Sequence, residues 1–388
     1  MLTVLRNAEV FAPDPLGVID VWVAGGEVLY LGTERSIPSW LSPECVIDVE
    51  GMRVIPGLVD GHVHLTGGGG ESGPSTRVPP LGLSRLTLAG ITTCVGVLGT
   101  DGTTRTMRDL IANTLGLREL GLSAWCYTGS YQVPPITLTG SVRDDIVFID
   151  PVIGVGELAI SDHRSSQPTL QELLRIASDA YVAGLISNKA GVLHLHLGDG
   201  PRGLELVRKA LDISEIPARV FHPTHVNRQR SLFEESMALS TRGVTVDVTA
   251  FPADESSFSA SESIDRWLHA GGPEQRLTCS SDGAGCLPVF DGNGRLVQME
   301  IGQPSALSEA LAEALLLGHD PSKVVSIFTS NVADVLGLKS KGRIAVGRDA
   351  DFAILNSAGQ IHSVLAGGRW MVRDGKPVNI GPFEEVNE

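Results

Sequence analysis

The sequence predicts an α/β protein: a (β/α)8 barrel carrying a small β-sandwich domain formed by the N- and C-terminal segments. Three observations predict it. Between about residues 56 and 335, strand-like runs alternate with helix-like stretches, the pattern of a parallel sheet. Both chain ends are rich in short strands. The length of 388 residues suits a barrel of roughly 250 residues with a partner of about 100.

Taken in order, Leu2–Val10, Val18–Val23 and Glu27–Gly32 are β-prone runs parted by turns bearing proline and glycine. The far end is similar in kind: Gly342–Asp351 leads to Phe352–Leu355, Ile361–Ala366 and Arg369–Val372. These ends predict a β-sandwich from residues 1–55 and 340–388, with residues 56–339 inserted as the barrel. Within the insert, strand-like runs fall at Ile91–Val97, Ser123–Thr128, Val152–Val155, Val192–Leu197, Arg219–Phe221, Val244–Thr249 and Leu277–Ser280. Thr169–Ala183 and Pro201–Leu211 read as helices. With a strand that must precede Gly57, about eight units fit, and eight close a barrel.

Composition narrows the partners. Hydrophobic residues make up 42% and charged residues 19%, enough for a large core and too few charges for wholesale disorder. A net charge of −15 argues against nucleic acid, whose phosphates need a positive face. It leaves room for a small anionic substrate, because a few converging arginines set the local field. Cys45, Cys94, Cys126, Cys279 and Cys286 are scattered, odd in number and form no CxxC pair, so free thiols in a reducing compartment are expected. The N-terminal MLTVLRNAEVF lacks the charge and apolar run of a signal peptide, and no run is long enough to span a bilayer. A cytoplasmic protein with no membrane partner is expected.

The sharpest local signal is Pro56-Gly-Leu-Val-Asp60-Gly-His62-Val-His64. Two histidines two residues apart on a strand share a face, and such a pair can grip one metal ion. Further ligand-type side chains each follow a strand-like run: Glu157, His196, His225 and Asp282. A lone histidine is more often a hydrogen-bonded core residue, and a lone Asp before Gly more often starts a turn. Together they fall after strands one, four, five, six and eight of one barrel, where the chemistry of such barrels sits. From spacing alone His194 and His196 are interchangeable.

The order HxH, bridging residue, His, His, Asp resembles the amidohydrolase superfamily. Within it, His62–Pro74, Leu98–Asp101, Thr139–Val142, Ile160–Ser165, Pro223–Arg228 and Ser280–Gly283 resemble the isoaspartyl (β-aspartyl) dipeptidase family over nearly the whole chain. The resemblance implies a barrel with a flanking β-sandwich, and zinc as cofactor, two ions per subunit. His62, His64 and Asp282 would bind one and His196 and His225 the other, with Glu157 bridging. The Leu-Gly-Asp after His196 favours it over His194, which becomes a neighbour. A homo-oligomer, an octamer by family resemblance, is also implied by the resemblance alone.

Two departures stand out. The family usually carries a carboxylated lysine at the bridging position, and this sequence has Glu157. Glutamate offers two oxygens and a negative charge without carbon dioxide, but it is shorter, so its backbone must sit nearer the metals. Val155-Gly156-Glu157 carries one residue more than the family pattern, which predicts a bulge that advances Glu157, as bulges beside active sites commonly re-aim side chains. The other departure is Cys286 in place of a serine that helps hold the substrate; a thiol is the weaker donor.

The reaction implied is hydrolysis of the side-chain amide of an isoaspartyl dipeptide by water activated between zinc ions. Asp282 would pass a proton to the leaving amine, and Tyr131 would donate to the oxyanion; alternatively Asp282 is a ligand only, and Tyr131 a loop-packing residue. Such a substrate carries two carboxylates and one amine. Glu71, after Gly67–Gly70, suits the amine, while Arg164 and Arg228 can each clamp a carboxylate, although most arginines merely form surface ion pairs. Thr100 offers a further polar contact or caps its loop. Another amidohydrolase activity, on cyclic amides or N-acyl amino acids, is the alternative, and a barrel that has lost its activity is a third reading.

Overall fold

In the computed structural model residues 2–33, 36–290 and 296–385 are described; the outermost residues of both predicted terminal segments lie outside them. The barrel is present. Its strands are β1 (Leu58–Val63), β2 (Ile91–Gly96), β3 (Ser123–Thr128), β4 (Val152–Ile160), β5 (Val192–Leu197), β6 (Phe221–Thr224), β7 (Val246–Thr249) and β8 (Leu277–Ser280). β1 to β6 pair in parallel in consecutive order and β7 pairs with β8. A hydrogen bond from Thr224 to Asp247 (2.7 Å) spans the gap between β6 and β7, and a parallel bridge from Val63 to Gly283 returns the sheet to β1.

Alternation along each strand sorts its side chains. Leu193, Leu195 and Leu197 of β5 pack outward in the main core under the helices, while Val192 joins Val59, Val95, Tyr127 and Ile153 inside. Val332 and Leu336, in and just after a short helix at Ser330–Val335, pack against that inner cluster and fill the N-terminal end of the barrel. What remains open is the opposite end, where the strands finish. The helices begin where their caps dictate. Thr169 and Glu172 form a capping box for the helix Leu170–Ser187, and Asn188 ends it in a left-handed conformation. Its buried positions, Leu173, Ile176, Ala177, Ala180, Ala183 and Gly184, follow the helical period.

Among the described residues, the two chain ends meet in a nine-stranded sheet. Its central joint is the antiparallel pair of Arg53–Pro56 with Phe352–Leu355. Leu5, Val10 and Val21 from the front share a core with Phe352, Ile354 and Leu365 from the back. The fold is thus a (β/α)8 barrel with a β-rich domain built from both termini.

Three sequence expectations need correction. The strand before Gly57 belongs to the terminal sheet, and the first barrel strand follows that glycine, so His62 lies inside a strand. Val152–Val155 does not stop at Gly156 but runs on to Ile160, which places Glu157 within β4; the pairing absorbs the interruption through a register shift. The sixth strand is Phe221–Thr224 rather than Arg219–Phe221, where Ala218–Val220 is a 3-10 turn. Pro223 has no N–H to give a ladder, but β6 has a backbone ladder on one side only among the described residues, so the missing donor is tolerated there.

Candidate active site and metal centre

Every candidate ligand comes to one place. His62 projects from β1 and His64 follows it; Glu157 stands on β4, His196 on β5, and His225 and Asp282 just beyond β6 and β8. All are buried. His225 and Asp282 hold left-handed backbone angles (φ 62° and 52°), conformations that cost energy for such residues and cluster at functional sites.

Glu157 sits at the middle. One carboxylate oxygen, Oε2, lies 3.1 Å from Nδ1 of His196, 3.5 Å from Nε2 of His62 and 3.7 Å from Nε2 of His225; the other, Oε1, lies 3.6 Å from Nε2 of His64. Asp282 Oδ1 is 3.0 Å from Nε2 of His64 and 3.5 Å from that of His62. Within this cluster three groupings have ligand spacing: His62 with His64 and Glu157, Glu157 with His196 and His225, and His62 with His225 and Asp282. The first two share Glu157, as a bridge would.

The backbone explains how a short side chain reaches this point. Leu193 and Leu195 of β5 pair with Val155 and Leu158 of β4, so β4 spends one extra residue there. That bulge holds Gly156 and Glu157. A Cβ on Gly156 would lie 2.7 Å from Cβ of His194 and 2.8 Å from its carbonyl oxygen, so only glycine lets the strands pass this closely. Gly99 plays the same part for His64, whose Cε1 would meet a Cβ at 2.5 Å.

The electrostatics call for positive charge at the centre. Burial works against ionisation of Glu157, but the imidazoles of His62, His196 and His225 outweigh it and hold its carboxyl well below the ordinary range. Asp282 is likewise buried and held down by His62 and His64. His62, although burial opposes its charge, is raised to about 9 by Glu157 and Asp282. His62 Nε2, His64 Nδ1, Glu157 Oε1 and Asp282 Oδ1 are buried without hydrogen-bond partners among the described residues. Two buried carboxylates amid four imidazoles, with polar atoms left over, fit divalent cations.

The cluster floors a cavity of about 400 Å³ lined by Glu71, Thr100, Tyr131, Arg164, Arg228 and Cys286 among others. Tyr131 Oη contacts Nδ1 of His196 at 2.8 Å, and burial, reinforced by Glu157, pushes its phenol well above the ordinary value. Arg164 is already gripped: Nε and Nη2 bond both oxygens of Asp162 (3.1 and 2.8 Å), and Nη1 faces Glu71 at 3.5 Å. Arg228 Nη1 lies 3.5 Å from Nε2 of His196. Burial pushes the Cys286 thiol up to about 11, which leaves it protonated at neutral pH.

Sequence reasoning missed several residues here. Asp162 ties Arg164 to His196, whose Nε2 it meets at 3.0 Å; its place five residues after Glu157 was a usable signal. Arg105, nearly fully buried, donates to the carbonyls of Thr66, Gly68, Gly69 and Val78 and so holds the glycine loop before Glu71; nothing in its neighbourhood announced it. His222, Asp247 and Thr278 line the barrel beneath the cluster.

Comparison with known proteins agrees with the fold. The model of the amidohydrolase family matches residues 53–371. The chain belongs to the amidohydrolase family. This amidohydrolase superimposes on a β-aspartyl dipeptidase of Fervidobacterium islandicum AW-1 in complex with a β-Asp-Leu dipeptide, with TM-score 0.93 and 44% identity over 99% of both chains. A second β-aspartyl dipeptidase structure from that organism gives TM-score 0.89 and 41% identity over 99% of this chain and 100% of that one. Among curated relatives, the adenine deaminase of Oceanobacillus iheyensis is 25% identical over 96% of this chain. The chain spans 57% of that protein's length.

Proposed function

We propose that this amidohydrolase cleaves the isopeptide bond of isoaspartyl dipeptides with the help of zinc ions held by His62, His64, Glu157, His196, His225 and Asp282. The observation that carries the reading is that Glu71, Arg164 and Arg228 line one cavity with the cluster, a carboxylate and two guanidinium groups on a wall that Asp199, Asp254 and Glu300 also border. An isoaspartyl dipeptide presents the complement, one ammonium and two carboxylates. The likeness to β-aspartyl dipeptidase over the whole chain supports the same class.

Bound zinc supplies a Lewis acid and an acidified water. The protein's own residues do the rest. Glu71 pairs with the substrate ammonium, and Arg164 and Arg228 fix its carboxylates through parallel hydrogen bonds. Asp162 holds Arg164 in place, so the guanidinium meets the substrate already oriented. Tyr131 offers its hydroxyl to the oxygen on which charge develops. Asp282, reaching the cavity past His64, takes a proton and delivers it to the leaving amine. Thr100 and Cys286 border the bound dipeptide.

The test compares β-Asp-Leu, an N-acetyl amino acid and a cyclic amide as substrates of the zinc-loaded protein. Turnover of β-Asp-Leu well above the other two is expected. Preference for the N-acyl amino acid or the cyclic amide would overturn the substrate assignment while leaving the hydrolase fold intact.

A further inference from the structure

Beneath the cluster a single file of buried polar side chains crosses the barrel interior. His62 Nδ1 lies 2.8 Å from His194 Nε2, His194 Nδ1 lies 3.0 Å from His222 Nδ1, and His222 Nε2 lies 3.1 Å from Thr278 Oγ1. Thr278 Oγ1 is 2.6 Å from Asp247 Oδ1. All five residues are at most 1% exposed. The ring of Tyr127 stacks on His194, with centroids 5.0 Å apart and planes at 20°, which fixes the plane of that imidazole.

The file has only one consistent direction. Asp247 also accepts from Thr224 (2.7 Å) and Ser280 (2.5 Å), both on Oδ2, and a carboxylate has only acceptors to offer. The Thr278 hydroxyl must therefore give its proton to Asp247, and it does so more closely than to the Val246 carbonyl at 3.3 Å. Its oxygen then accepts from His222 Nε2–H. A neutral imidazole donates from one nitrogen and accepts on the other, and burial lowers His222 to about 4, so His222 Nδ1 carries a lone pair. That lone pair takes the proton of His194 Nδ1, and His194 Nε2 in turn takes that of His62 Nδ1. With Nδ1–H of His62 committed to His194, Nε2 is the nitrogen left to meet a cation, the atom 3.5 Å from both Glu157 and Asp282.

We infer that Asp247, Thr278, His222 and His194 form a hydrogen-bonded rail that sets the tautomer and ring orientation of His62 for cation binding. A metal-bound imidazole commonly leans on a carboxylate directly; here the carboxylate acts through three intervening side chains. These are positioning residues, and none of them lines the substrate cavity. The inference rests on the reading that His62 holds a divalent cation, and its test separates the two.

Two measurements suffice. In wild-type protein labelled with 15N-histidine, imidazole spectra are expected to place the proton of His194 on Nδ1 and that of His222 on Nε2. Zinc affinity, by competition with a chelator, is expected to fall about 10–100-fold in Thr278→Val and Asp247→Asn, while Thr278→Ser, which keeps the hydroxyl, stays near wild type. Should Asp247→Asn fail to fold, the nearly isosteric Thr278→Val carries the comparison alone. Protons found on His194 Nε2, or wild-type zinc affinity in folded Thr278→Val, would overturn the inference. The spectrum needs no cation, so reversed polarity refutes the rail by itself. A wild-type chain that takes up no zinc refutes the proposed function, and the rail's purpose with it.

Discussion

At the scale of single residues the site is governed by close approach and by charge. Gly156 is where both meet, since it lets β4 bulge toward the cluster and carries Glu157 with it. Gly156→Ala is expected to push β4 away from the backbone of His194 and weaken zinc binding about tenfold or more, measured as metal retained after dialysis; deletion of Gly156 should do the same. Wild-type retention in both would show that the bulge does not place Glu157. Arg228 makes a different point. Arg228→Met should raise KM for β-Asp-Leu about 10–100-fold through the loss of a charge-assisted pair, with zinc content unchanged. Steady-state kinetics with metal analysis checks both halves. The ligands themselves were legible because each is a chemically distinctive side chain at the end of an apolar run. Their outer partners were not. His222, Asp247 and Thr278 alternate with apolar neighbours in β6, β7 and β8, and that two-residue period in a sheet buried on both faces was the signal to read.

At the scale of elements, loops are held by groups that sequence proximity hides. The loop before Glu71 hangs on Arg105, whose donors reach three of its carbonyls, the Val78 carbonyl beyond it and Asp101 (3.2 Å). Arg105→Met is expected to raise KM for β-Asp-Leu and lower the thermal midpoint together; a change in stability with KM intact would separate the loop from substrate capture. Strand interiors such as Val192–Leu197 were legible to the residue because alternation and burial agree there. Strand ends were harder. Gly156 and Glu157 looked like a terminus, but burial on both faces keeps them in the sheet, and the first barrel strand was displaced across Gly57 because the two flanking runs are equally apolar.

At the scale of the molecule, the terminal sheet is fastened to the barrel by a buried charge. Lys341 Nζ lies 2.6 Å from Asp351, 2.7 Å from Asp349 and 2.6 Å from Ser123 at the start of β3. Burial works against its charge, but Asp351 and Asp349 prevail and raise its pKa. A raised lysine value gives stability that is fully present below the unfolded value, about 10.4, and lost as pH climbs through the folded one. Lys341→Met should therefore lower unfolding free energy by about 3–5 kcal/mol at neutral pH, a deficit that closes in denaturant titrations at strongly alkaline pH. A constant deficit across that range would argue against the ion pair as its source. The architecture was legible as a whole, since alternation in the middle and strands at both ends have few other solutions.

The central claim is that side chains distant in sequence cage cations that activate water against a β-aspartyl amide. Its most direct test follows leucine release from β-Asp-Leu by the purified protein, by the same protein stripped with a chelator, and by the stripped protein given zinc. Release should stop on stripping and return with zinc. Release that continues unchanged in the stripped protein would contradict the account.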